Sequence, residues 1–80
     1  DYVVLVEAGG GAKTITLPQA STVAGRIFTV KKIDSSANAV TVDGYGTEPI
    51  DGATTKTLAT QYKAVTVIST GSVWYILSTV

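Results

Sequence analysis

Three runs of this 80-residue chain are apolar with almost no polar alternation: Tyr2-Val3-Val4-Leu5-Val6, Val65-Thr66-Val67-Ile68 and Val73-Trp74-Tyr75-Ile76-Leu77. Their β-branched and aromatic residues favour strands. Successive strand residues point to opposite faces of a sheet, so a strand without alternation needs an apolar cover on both sides. Eighty residues make one domain, and folding hides only about 60–65% of the surface of a chain this small. Such a domain does not supply two covers for three strands, and the natural supplier of the second is another copy of the same chain. Small domains otherwise draw on disulfides or metals, and the chain has neither Cys nor His. The sequence therefore predicts self-association through β-structure.

Charge narrows the partners further. Six basic and six acidic residues give zero net charge, whereas a nucleic-acid binder carries a basic face. The one adjacent basic pair, Lys31-Lys32, reads as a solvated strand end. No apolar stretch approaches the roughly 20 residues of a membrane-spanning helix. Neither nucleic acid nor membrane insertion is expected. With no Met anywhere, the chain reads as a segment of a longer polypeptide or as a processed product.

Short spacing between strand candidates is the habit of sandwiches and barrels. The runs 2–7, 12–17, 26–33, 39–43, 47–50, 55–59, 62–69 and 73–78 predict an all-β domain: a small antiparallel β-sandwich or barrel-like fold of seven or eight short strands. Gly9-Gly10-Gly11 and Asp34-Ser35-Ser36-Ala37-Asn38 are expected as hairpin connections. A phosphate cradle at the triple glycine would need a helix behind it, and the glycines lead instead into the strand-like Lys13-Thr14-Ile15-Thr16-Leu17. Asp43-Gly44, Asp51-Gly52 and Ser69-Thr70-Gly71-Ser72 read as reversals. Pro18 closes the second run, the stretch from Gln19 to Gly25 lacks a β pattern, and Pro49 marks 47–50 as an edge.

Catalytic groups are scarce. General acid or base work would fall to Asp1, Glu7, Asp34, Asp43, Glu48 and Asp51, and the hydroxyls have no evident activating base. Asp34, Asp43 and Asp51 stand in predicted turns, where a short carboxylate satisfies backbone N–H groups. Asp43, Glu48 and Asp51 place three oxygen donors within nine residues, but not at the alternate spacing of a calcium loop. No enzyme activity, cofactor or metal is expected. Phe28 and Trp74 lie inside apolar runs and belong in the core. Tyr45, between Gly44 and Gly46, reads first as a loop aromatic folded back on its own hairpin and, as the binding alternative, as a ring to stack on a sugar or a partner surface; Asp34, Ser35, Ser36 and Asn38 offer hydrogen-bonding groups and complete the candidate contact set.

The order of plain motifs carries a resemblance. Phe28-Thr29-Val30-Lys31-Lys32-Ile33-Asp34-Ser35-Ser36-Ala37-Asn38-Ala39-Val40-Thr41-Val42-Asp43, then Ile50-Asp51-Gly52, Gln61-Tyr62 and Gly71-Ser72-Val73-Trp74-Tyr75-Ile76, resembles a short domain that recurs in bacteriophage tail fibres, tailspikes and related virion proteins. The opening Asp1-Tyr2-Val3-Val4-Leu5-Val6 and Ile15-Thr16-Leu17-Pro18 fit as well. The resemblance implies a homotrimeric all-β module of the virion, extracellular when mature, that holds three chains together beside other virion proteins and faces a host glycan or protein. It carries no catalytic residue onto this chain. A capsid decoration or cement protein is the alternative within the same class, and a carbohydrate-binding module the alternative from another.

Overall fold

Ile27-Phe28-Thr29-Val30-Lys31-Lys32 alternates strictly between two faces, and the fold is built around this run. The computed structural model of the chain describes residues 2–80. Seven strands are formed: β1 (Tyr2–Val6), β2 (Lys13–Thr16), β3 (Ile27–Lys32), β4 (Val40–Asp43), β5 (Thr55–Leu58), β6 (Ala64–Ser69) and β7 (Trp74–Thr79), with one 3₁₀ turn at Ala20–Thr22. They make a four-stranded sheet in the order β1-β3-β6-β7 and a three-stranded sheet in the order β2-β4-β5. The all-β expectation holds, with seven strands in two sheets.

The sheets are mixed rather than antiparallel. β1 runs parallel to β3 and β2 parallel to β4, while the β3–β6, β4–β5 and β6–β7 pairs are antiparallel. The chain passes from one sheet to the other after β1, β2, β3 and β5. The triple-glycine loop and the 34–38 turn are therefore crossovers and not the hairpins expected from their residues. Their own bonding explains this: the Ala8 amide donates to Asp34 Oδ1 at 2.8 Å and Asn38 Nδ2 donates to the Ala8 carbonyl at 2.8 Å. The two crossovers lie side by side and satisfy each other. Ser69 to Ser72 does reverse the chain, with the Thr70 amide on the Val73 carbonyl at 3.0 Å.

Residues 47–50 form no strand. Pro49 has no N–H to give a ladder, and Ile50 makes only isolated bridges, to Ala53 and to Trp74. Asp51 and Gly52 take φ of 50° and 85°, the left-handed pair of a type I′ turn. The turn lies against the start of β7: Trp74 N donates to the Pro49 carbonyl and Asp51 N to the Trp74 carbonyl, both at 3.0 Å.

Between the sheets, Val30, Val65, Val67 and Trp74 meet Val40, Val42 and Leu58, with Leu17, Ala20 and Ile50 closing the sides. Trp74 is fully buried and meets Phe28 edge to face, with ring centroids 5.4 Å apart. Phe28 in turn stacks on Tyr2 at 5.0 Å. Both aromatics expected in the core are there.

Candidate assembly interface

The two outer faces of the sandwich differ in kind. On the three-stranded sheet the register aligns Thr14, Thr41 and Thr57 in one row and Thr16, Asp43 and Thr55 in the next. That face is hydroxyl-lined and suits water. On the four-stranded sheet the aligned rows are Ile27, Ile68 and Tyr75; then Val3, Thr29, Thr66 and Ser78; then Leu5, Lys31 and Ala64. Leu77 is the extra residue of a bulge beside Ser78. Val3 is 69% exposed, Leu5 61% and Leu77 53%. Scattered surface leucines need no explanation, but exposed apolar side chains along both flanks of one sheet face mark a contact site. Of the three runs expected to be apolar on both faces, those in β1 and β7 are the flanks of this face, and the one in β6 crosses it between them, presenting Thr66 and Ile68.

Its middle is low and its flanks are tall. At the centre Thr29 and Thr66 bond to each other through their hydroxyls at 3.0 Å, while Val3 and Leu5 rise on one flank and Tyr75 and Leu77 on the other. The one charge among its described residues, Lys31, lies at the rim, with its ammonium 5.4 Å from the centre of the Tyr62 ring. Tyr62 holds φ at 68°, a conformation that costs a bulky residue about 1–3 kcal/mol. Its amide donates to the Lys32 carbonyl at 2.7 Å, which anchors the turn that carries the ring.

The sequence-predicted contact residues are placed differently from one another. Of the four contact residues expected in the 34–38 segment, Ser35 alone is exposed; Asp34, Ser36 and Asn38 are half-buried. Lys32, expected as a solvated strand end together with Lys31, is fully buried. Phe28, Val30 and Lys32 share the inner face of β3, so period-two alternation points Lys32 inward. Its ammonium binds Asp34 Oδ2 at 2.8 Å, the Asp34 carbonyl at 3.1 Å and the Ser36 carbonyl at 2.8 Å. Asp34 Oδ2 also accepts from the Ser36 amide at 3.0 Å and from the Ser36 hydroxyl. The donors and acceptors of Asp34, Ser36 and Asn38 thus serve the crossover.

The Lys32 ammonium and the Ser36 hydroxyl, with the Ala8 and Ser36 amides, hold the Asp34 carboxyl well below the usual carboxylate range, while burial acts in the opposite direction. A carboxyl depressed in the folded state contributes stability that is present above its unfolded value of 3.8 and is lost as pH falls toward the folded value. Asp34→Asn is expected to lower stability at pH 7. It is also expected to flatten the acid branch, so that the gap between wild type and variant narrows steadily as pH falls from about 4 to about 2. Urea unfolding across that range measures this; two parallel acid branches would show that Asp34 does not carry it.

Tyr45 is half-exposed at the tip of a turn closed by the Glu48 amide on the Tyr45 carbonyl at 2.9 Å. Gly44 is buried beneath it, where a Cβ would collide with the Glu48 carbonyl. The carboxylates near this turn are separately employed. Glu48 Oε1 accepts from the Ala20 amide at 3.0 Å and Asp51 Oδ1 from the Ile76 amide at 3.1 Å, while Asp43 ends β4 on the hydroxyl face. Glu7 Oε1 accepts from the Gly9 amide at 2.7 Å, and Asp1 lies outside the described residues. No protein-family model, curated protein or solved structure matches this chain.

Proposed function

We propose that this domain is a structural self-association module, a homotrimer that holds together the chains of a bacteriophage tail fibre or spike. The observation that carries the self-association is the uncovered apolar face of the four-stranded sheet. The shape of that face supports three copies. Four strands spaced about 4.8 Å apart give a sheet about 19 Å wide including one joint. Three such sheets closed into a triangle each stand about 5.5 Å from the axis, half the roughly 10 Å at which sheets stack. The middle of each side lies nearest the axis and takes small residues, as at Thr29 and Thr66; the corners are roomier and take Leu5, Tyr75 and Leu77. Lys31 leaves at the rim beside Tyr62.

The virion setting rests on the sequence resemblance. Tyr45, away from the apolar face on a turn tip, is the residue offered for contact with a host glycan or protein. A structural role is supported by the carboxylates: Glu7, Asp34, Glu48 and Asp51 serve backbone amides. Light scattering of the purified domain at micromolar concentration is the test. The expected mass is three chains, and a compact monomer overturns the reading.

A further inference from the structure

Of the four strand edges among the described residues, two are protected along their length and a third is half covered. The three-stranded sheet ends in β2 and β5, which carry Lys13 and Lys56, and edge lysines discourage pairing with another chain. On β7 the first half is covered by the 49–51 turn and by Asp51 Oδ1 on the Ile76 amide. β1 has no such device: Tyr2-Val3-Val4-Leu5-Val6 holds no charge, no proline and no bulge.

Hydrogen-bond phase shows which groups are open. The Ile33 amide donates to the Val6 carbonyl at 2.9 Å, and a strand in a parallel ladder bonds its neighbour through alternate residues. Tyr2, Val4 and Val6 therefore face β3, and the N–H and C=O groups of Val3 and Leu5 face outward. On β7 the Val80 amide donates to the Ala64 carbonyl at 3.0 Å, which turns the Ser78 and Val80 amides toward β6 and so leaves the Leu77 carbonyl, at the bulge, and both backbone groups of Thr79 facing outward. These are the open groups at the two ends of one sheet.

We infer that β1 of each copy adds in parallel to the second half of β7 of the next copy, so that the three sheets close into one continuous hydrogen-bonded wall. This rests on the trimeric reading proposed for the domain. β1 and β7 point the same way, since β1 is parallel to β3 and two antiparallel steps lead from β3 to β7. A threefold rotation reverses no strand and shifts no residue along its axis, so residues at one level meet. Across the sheet, Val3 is level with Ser78 through Thr29 and Thr66, and Leu5 is level with Val80 through Lys31 and Ala64. A parallel ladder in that register sends the Val3 amide to the Leu77 carbonyl, the Thr79 amide to the Val3 carbonyl and the Leu5 amide to the Thr79 carbonyl. The open groups match in level, direction and phase, and the 49–51 turn occupies the rest of the β7 edge. The contact is head-to-tail and closes after three copies.

A disulfide tests it on a chain without native cysteine. Within one chain Val3 and Ser78 are three strand spacings apart, about 14 Å, beyond the roughly 4.4–6.8 Å that a disulfide spans. The double variant Val3→Cys with Ser78→Cys, oxidised and run on a denaturing gel without reductant, is expected to give chains linked in threes that return to single chains on reduction. Each single variant is expected to stay unlinked. Two results overturn the inference while sparing the trimer: a light-scattering mass of three chains with no linkage in the double variant, or efficient linkage in Val3→Cys alone, which signals β1 paired with β1. A wild-type mass of one chain overturns both.

Discussion

Trp74→Ala is expected to destabilise the domain by about 3–5 kcal/mol, the usual result of truncating a fully buried large aromatic. At about 4 °C or more per kcal/mol for a domain of this size, the melting temperature falls by more than 10 °C. The indole is fully buried, packs edge-on to Phe28 and stands where β7 meets the 49–51 turn. Its loss opens a cavity between the sheets and also loosens the cover of the β7 edge. Tyr45→Ala, on an exposed turn tip, is expected to fall within about 0.5 kcal/mol. Trp74→Phe separates packing from polarity: the indole Nε1–H is buried without an acceptor among the described residues, so the ring swap removes an unpaired donor and is expected to be milder than the alanine variant. Equal melting shifts for Trp74→Ala and Tyr45→Ala would contradict a core built on Trp74.

Thr66→Glu is expected to turn the trimer into single chains, a threefold fall in light-scattering mass, with the circular dichroism of the fold retained. Thr66 lies at the low centre of the apolar face, so three copies would bring three carboxylates close to one axis and away from water, where like charges without partners are strongly unfavourable. In one copy the change forfeits only the hydroxyl bond to Thr29, typically about 1 kcal/mol. Thr57→Glu is the matched control. It is the same residue type on a strand of the hydroxyl-lined face, and its mass is expected to stay that of three chains. A trimer that survives Thr66→Glu, or one that is lost equally with Thr57→Glu, places the contact elsewhere.

Strand positions were legible because alternation and β-branching report a pleat regardless of partner. Six of the seven strands fall wholly inside sequence-predicted runs, and β7 overruns its run by one residue at Thr79. Pairing was not legible. A run such as Tyr2–Val6 is apolar in the same way whether its neighbour is parallel or antiparallel, and a glycine-rich loop closes a hairpin as readily as it crosses between sheets. What decided the matter was a set of bonds between residues far apart in sequence, Ala8 with Asp34 and Asn38. The burial of Lys32 was readable in principle from its place in line with Phe28 and Val30, but an adjacent lysine pair at a strand end suggests solvent more strongly. The segment 47–50 has β-type residues and still bridges rather than pairs, because Pro49 withholds a donor. The apolar face was foreshadowed by the lack of alternation in β1 and β7, whereas its low centre depended on a register the sequence does not give.

The order in which strands alternate between sheets also governs how the chain reaches its fold. Only the β6–β7 hairpin and the β4–β5 pair join strands that are neighbours in sequence, and neither has a covered face until the opposite sheet exists. The four-stranded sheet reaches from Tyr2 to Thr79, so β1 must wait for β3, and β3 for β6. Pairings this distant close long loops before they gain any contact, which places folding in the milliseconds-to-seconds range typical of small β-proteins. A chain leaving the ribosome has no early resting place: β1 stays available to neighbouring chains until β3 holds it, and β3 is itself held only once β6 has emerged.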